Sequence, residues 1–349
     1  LSDVSHDGNS LIFITSHADK KDDDFRDTLY LLDIKSGKKA VLLQSNGGKG
    51  FGFSSVKFSG DSKSIYFLSS GNKASGKSNS QIWSLTLSNR IKRRLTNFDG
   101  SISDFDISED GSTIAFIGNM KSEDKDKSKT PTPLVIDRYQ FKRDYEGFLG
   151  NDRDHLFIFD SKSRRVEQVT SGQRDHLHPS ISPNGKSIAY MTKEGDFDRH
   201  NNWEIFIKDL EGDENPRKVM SKNSEDLYTQ FPSRPEWSPD GKRIAYLHGG
   251  DHSMLWYALQ EVSIIDVETG DIDFITRGFD RNTSMPQWSK DGQSIFFILE
   301  DDMKSQLMKY SLSDNSSKKV TPDNMYLSGY SRSYFAVNNE IIFQSSTSS

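Results

Sequence analysis

A short phrase recurs seven times along the 349 residues: an apolar or aromatic residue, a Ser, a turn built on Asp or Asn beside Gly, then two or three β-formers. It reads Phe58-Ser-Gly-Asp-Ser-Lys-Ser-Ile-Tyr-Phe67, Ile107-Ser-Glu-Asp-Gly-Ser-Thr-Ile-Ala-Phe116, Ile181-Ser-Pro-Asn-Gly-Lys-Ser-Ile-Ala-Tyr190 and Trp237-Ser-Pro-Asp-Gly-Lys-Arg-Ile-Ala-Tyr246. Further copies start at Val4, at Trp288 and, in worn form, at Ala336. Each copy is a hairpin with a mechanism: Asp or Asn bonds its own backbone, Gly takes φ > 0, and Pro, where present, presets φ. Two strands therefore flank every copy. About ten to thirty residues downstream comes a second strand pair, over 28–43, 81–96, 155–170, 203–220, 262–275 and 307–321, with the alternation of half-buried strands.

A four-stranded antiparallel sheet repeated at roughly 50-residue spacing predicts a β-propeller, in which neighbouring sheets pack face to face and bury a continuous core. The expected fold is all-β: one seven-bladed propeller over 1–349, with blades near 1–48, 49–100, 101–172, 173–226, 227–280, 281–325 and a partial 326–349. The seventh blade shows only its first two strands, Tyr334 to Val337 and Glu340 to Gln344, so it is expected to be incomplete. A start at Leu1 rather than Met points to a cut fragment, and a leader removed before Leu1 stays open.

Zero Cys excludes disulfides, thiolate metal sites and Cys catalysis, and fits a reducing compartment. No leader-like segment opens the chain, so the expected location is cytoplasmic. A net charge of -6 with dispersed Lys and Arg argues against a nucleic-acid surface, which needs clustered positive charge. No apolar run approaches the ~20 residues of a membrane span. The interval between the turns at Asp110 and Asn184 exceeds the others, and its excess, Lys121 to Pro133, is too polar to pack and reads as a mobile insertion in blade three.

The hairpin around Trp237 resembles those of TolB-like propellers. Arg138-Tyr-Gln-Phe-Lys-Arg-Asp-Tyr-Glu-Gly-Phe-Leu149, followed by His155-Leu-Phe-Ile-Phe-Asp160, resembles the Arg-Tyr-x-x-Lys stretch and His-Leu strand of acylaminoacyl-peptidase and dipeptidyl-aminopeptidase members of the prolyl oligopeptidase family. The resemblance covers essentially the whole chain and departs from the family at Asp144-Tyr-Glu-Gly147, where many relatives place an Asp-Gly turn closer to the Lys. It implies the N-terminal half of a serine peptidase, whose C-terminal α/β-hydrolase domain carries Ser, Asp and His. The propeller would then select short peptides by size, dock the hydrolase domain and contact a second subunit in a homo-oligomer; no cofactor is implied. The nucleophile elbow G-x-S-x-G is missing from the sequence, its nearest string being Gly329-Tyr-Ser-Arg-Ser333. This chain is expected to hydrolyse nothing alone.

Under that resemblance Arg138 is the first candidate for substrate contact, because its guanidinium fork suits carboxylate and carbonyl groups. The competing reading is a structural ion pair that holds the blade-three excursion against the rim. Tyr139 is a second candidate, although it and Lys142 fit strand faces equally well. Trp256, outside the repeat, is a third. Trp203, Trp237 and Trp288 read as core.

Two rival functions stand beside the peptidase. One is a stand-alone TolB-like scaffold that binds a protein partner. The other is a metal-dependent propeller enzyme such as an oligogalacturonate-type lyase: His176 and His178 share one side of an extended segment, and His200 follows with Asp196 and Asp198. The favoured account of those histidines is that blade-entry residues before Pro179 carry polar side chains at the funnel mouth. The segment from Asp196 to Glu204 lacks the Gly and the spacing of an EF-hand calcium loop.

Overall fold

In the computed structural model the described residues are 1–21, 23–45, 51–71, 79–120, 135–136, 138–144, 147–200, 202–212, 214–219, 233–249, 254, 257–327, 334–337 and 340–346. The insertion expected over Lys121 to Pro133, the candidate Trp256 and the string Gly329 to Ser333 lie outside them.

The repeated phrase folds as a clasp. Its Ser hydroxyl donates to the carboxylate or amide two residues on, as Ser5 does to Asp7 (2.6 Å), Ser108 to Asp110 (2.7 Å) and Ser182 to Asn184 (2.7 Å). The same hydroxyl accepts the amide five residues on, from Ser10, Thr113 and Ser187 (2.8, 3.0 and 2.9 Å). One hydroxyl thus closes both arms of each hairpin, which explains why Ser and Asp recur together. A second clasp closes the outer pair. The hydroxyls of Thr96, Thr170, Thr276 and Thr321 accept the amides of Ile82, Leu156, Val262 and Leu307, each 14 residues earlier.

Among the described residues six four-stranded antiparallel blades result, each ordered along the chain from the inside outward. Their innermost strands are Asp3–Val4, Ser54–Phe58, Ser101–Ile107, His176–Ile181, Glu236–Trp237 and Thr283–Trp288. The expected seven blades are corrected to six. After Thr321 the structure holds a lone hairpin, Tyr334–Val337 with Glu340–Phe343, and a separate pair in which Ser345–Ser346 joins Tyr326–Leu327. Among the described residues the hairpin gains no third and fourth strands, because Ser345 and Ser346 pair with Leu327 and Tyr326 instead.

The core sits between blades. Leu68, Ile82 and Phe98 of blade two pack on Phe105, Phe116 and Phe157 of blade three, where the Phe116 and Phe157 rings stack 5.3 Å apart. Burial of a side chain this size contributes about 2 kcal/mol. Polar ties join the inner strands in a repeating pattern. Asp3 accepts the amide of Phe58, Asp106 that of Ile181 and Gln287 that of Ala336, each reaching the next unit in the chain.

Candidate functional site

A cavity of about 1020 Å³ lies among the inner strands of blades one to five. Residues two and four places before the repeated Ser of blades two to five line it, with Leu1 of blade one. Lys57, Asp106, Ser180 and Glu236 come from the first set; Leu1, Ser55, Asp104, His178 and Arg234 come from the second. The inner strands of blades two, three, four and six break their pairing register near these positions. Ser55 and His178 stand there at φ +49° and +55°, a left-handed conformation that costs a non-glycine residue about 1 kcal/mol or more. Such bulges re-aim side chains, here towards the cavity.

The charges across the cavity are paired. The Arg234 guanidinium donates to both oxygens of Asp104 (2.7 and 2.8 Å) and also to the Pro179 carbonyl. Lys57 Nζ meets Asp106 Oδ1 at 2.6 Å, and His178 Nδ1 stands 3.5 Å from Asp104 Oδ2. Burial alone would raise the Asp104 carboxyl, but Arg234, the His178 hydrogen bond and Lys57 outweigh it and hold it well below the usual carboxylate range. Asp106 is likewise held down: burial raises it, and Lys57 and Arg234 more than offset that. The network keeps two carboxylates ionised at a partly apolar site. Its chemistry is ionic recognition and bracing rather than proton transfer.

The candidates named from sequence gather elsewhere, on the rim of blades three and four. Arg138 forks onto Asp198 (3.1 and 2.5 Å) and donates to the Gly150 carbonyl (2.9 Å), the arrangement of a structural ion pair. The Arg138 hydrogen bond, ahead of the opposing burial, pulls the Asp198 carboxyl down. Tyr139 is 66% exposed, with the Arg199 guanidinium 4.7 Å over its ring. Lys142 lies in a two-stranded hairpin, Lys142–Arg143 with Gly147–Phe148. Trp203 and Trp288 are buried; Trp237 is half-buried and borders the cavity.

The three histidines do not converge, which corrects the expectation that His176 and His178 share a side. The bulge at His178 separates them. His176 bonds the Asp154 carbonyl through Nδ1 (2.9 Å) and packs on His155 and Tyr190, whereas His178 turns to Asp104. His200 Nε2 is tied to the Glu194 carbonyl (2.7 Å). Among the described residues no group of three His, Asp or Glu could hold a metal ion, and no helix is long and apolar enough to cross a membrane.

Lys57, Asp104, Asp106 and Arg234 escaped the sequence reading. A signal existed: the residue two places before the repeated Ser is charged in blades two, three and five (Lys57, Asp106 and Glu236), and the residue four places before it is charged in blades three and five (Asp104 and Arg234).

The profile of the PD40 TolB beta propeller domain matches residues 145–349, more than half of the chain. The chain belongs to this TolB propeller family. The propeller is 23% identical over 314 residues to dipeptidyl-peptidase 5 of Trichophyton equinum, covering 79% of this chain and 42% of that one. The match thus spans less than half of the fungal peptidase. Among solved structures, the propeller resembles Pyrococcus horikoshii acylaminoacyl peptidase (TM-score 0.67, 16% identity, covering 92% of this chain and 46% of that one). It also resembles the β-propeller domain of the trilobed protease from Pyrococcus furiosus, described as having an open velcro topology (TM-score 0.65, 15% identity, 99% and 88% coverage). At such identities these structural likenesses establish the fold.

Proposed function

We propose that this propeller is the non-catalytic domain of a serine peptidase of acylaminoacyl- or dipeptidyl-peptidase type, acting as a size-selecting lid and docking element for an α/β-hydrolase domain. The observation that carries the reading is the match to dipeptidyl-peptidase 5 over 79% of this chain and only 42% of the relative, with no nucleophile elbow in the 349 residues. The charge pairs spanning the cavity support size selection, because they narrow the bore to small or flexible chains. In the parent enzyme a Ser activated by His would attack the peptide carbonyl, an Asp would orient the His, and backbone amides would hold the oxyanion.

The whole chain, 1–349, is one domain in this reading. Tyr139 is the rim side chain open to a peptide, and Arg138, held by Asp198, keeps it in place. The absence of Cys supports a reducing, cytoplasmic setting. Among the described residues the metal-enzyme reading has no group of three His, Asp or Glu in its favour.

A fluorophosphonate probe tests the proposal. The 349-residue chain should stay unlabelled, while the polypeptide encoded by the complete reading frame should label at one Ser and cleave short peptide substrates. A complete reading frame that ends with this propeller overturns the proposal.

A further inference from the structure

Lys and Arg, dispersed along most of the sequence, gather at one place on the fold, the outer edges of blades two and three. The outermost strand of blade two, Lys92–Arg94, is exposed at all three residues, and Arg90 and Ile91 precede it, exposed as well. Arg164, in the corresponding turn of blade three, donates to the Leu95 carbonyl at 2.8 Å and so brings a fifth cation to this edge. Among the described residues no carboxylate pairs with Arg90, Lys92, Arg93, Arg94 or Arg164. Exposed cations elsewhere are paired, as Arg26 is with Asp19 (2.6 Å), Lys186 with Glu211 (3.0 Å) and Arg281 with Asp301 (2.6 Å). On a chain of net charge -6 this edge is a concentration of unbalanced positive charge.

Two of these arginines occupy strained positions. In four blades the turn before the outermost strand ends on a left-handed residue whose amide donates to the carbonyl four residues earlier: Gly37 to Asp33, Arg90 to Thr86, Arg164 to Asp160 and Gly270 to Asp266. Glycine stands there in blades one and five, at φ +69° and +72°, and arginine in blades two and three, at +59° and +58°. Any side chain at such an angle is strained. Arg164 recovers something through Leu95, whereas among the described residues no hydrogen bond or ion pair of the Arg90 side chain offsets its strain.

The strand beside them is open. Among the described residues blade two ends at Lys92–Arg94, with Trp83, Ser84 and Leu85 paired to one side of it and no strand on the other. The Ile91 carbonyl and the Leu95 amide turn inward, to Thr86 and Ile82, so by alternation the amides and carbonyls of Lys92 and Arg94 face outward.

We propose that this edge is a docking site for an extended acidic segment of a partner protein, which adds a strand beside Lys92–Arg94 and sets its carboxylates on the guanidinium groups. Basic side chains on an edge strand also keep like edges apart. That repulsion acts against the edges of blades one and six in a second copy, which carry Lys39 and Lys318 with Lys319, and it selects an acidic strand as occupant. It does not call for arginine at a left-handed position, where glycine would fold more easily.

Fluorescence anisotropy of the 349-residue chain with a labelled peptide of about ten residues, alternating glutamate and valine, tests the site. Binding is expected at low salt, about tenfold weaker in about 0.5 M salt, and absent for the lysine–valine counterpart. Arg93→Glu should weaken it about tenfold. Arg90→Gly should weaken it about threefold without lowering the melting temperature, since glycine suits the left-handed position. Deuterium exchange at the amides of Lys92 and Arg94 should slow when the peptide is bound. No binding of the glutamate peptide, or equal binding by Arg93→Glu, overturns the site. Equal binding of a peptide N-methylated at alternate residues overturns strand addition. Sedimentation with phosphatidylserine vesicles in place of peptide binding overturns the partner in favour of a membrane surface. Concentration-dependent self-association that Asp273→Lys abolishes overturns it in favour of the blade-five edge of a second copy.

Discussion

Arg234 and Asp104 are joined by two hydrogen bonds of 2.7 and 2.8 Å, although Arg234 belongs to the inner edge of blade five and Asp104 to blade three. The pair spans blade four and takes hold of it through the Pro179 carbonyl and through His178, 3.5 Å from Asp104. Nearest-neighbour packing is the rule in repeat folds. A bond between non-neighbouring repeats therefore acts on the bore itself and restrains the ring from opening.

Arg234→Lys is expected to lower stability by about 2 kcal/mol, because an ammonium keeps the charge but cannot hold Asp104 and the Pro179 carbonyl from two nitrogens at once. Denaturant unfolding at neutral pH measures it. A lysine variant as stable as the parent would show that charge alone suffices.

Lys57 and Asp106 should be strongly coupled. Removing either partner of a half-buried pair strands the other, so Lys57→Met and Asp106→Asn should each cost about 2 kcal/mol. The double variant should lose less than their sum, since no uncompensated charge is left. Asp106→Asn keeps an acceptor for the Ile181 amide, which isolates the ionic contribution. Additive losses in the thermodynamic cycle would refute the coupling.

Thr170→Val removes the hydroxyl that accepts the Leu156 amide at 2.9 Å, in a strand where Leu156 is fully buried. An unsatisfied buried amide costs about 1–3 kcal/mol, and Thr170→Ser should recover most of that. Thermal melts of the three proteins give the comparison; equal melting temperatures would mean that the clasp contributes nothing.

Burial pushes the His176 imidazole down to about 4 from 6.5. A lowered histidine pKa means that the unfolded chain binds the proton first. Its contribution to stability is therefore complete above pH 6.5 and is lost as pH falls towards 4, on the order of 3 kcal/mol in all. His155, 5.3 Å away, is also pushed down by burial and adds in the same direction. Melting temperature recorded from pH 7 to 4 should fall more steeply in the parent than in His176→Gln. Parallel curves would remove His176 as the source.

The sequence alone determined the strand pairs, the turns and the propeller class, since these depend on contacts a few residues apart: a Ser with the Asp two places on, a hairpin with its own arms. The last hairpin, Tyr334 to Phe343, was legible for the same reason. Whether it would become a blade was not, because that depends on where Ser345 and Ser346 pair. The cavity belonged to tertiary structure altogether. Lys57, Asp104, Asp106, His178 and Arg234 come from four blades, Asp104 and Arg234 being 130 residues apart, and only the closing of the ring brings their charges within bonding distance. The bulge at His178 decided which way that imidazole turned, because a single left-handed residue reverses the side that strand alternation would assign.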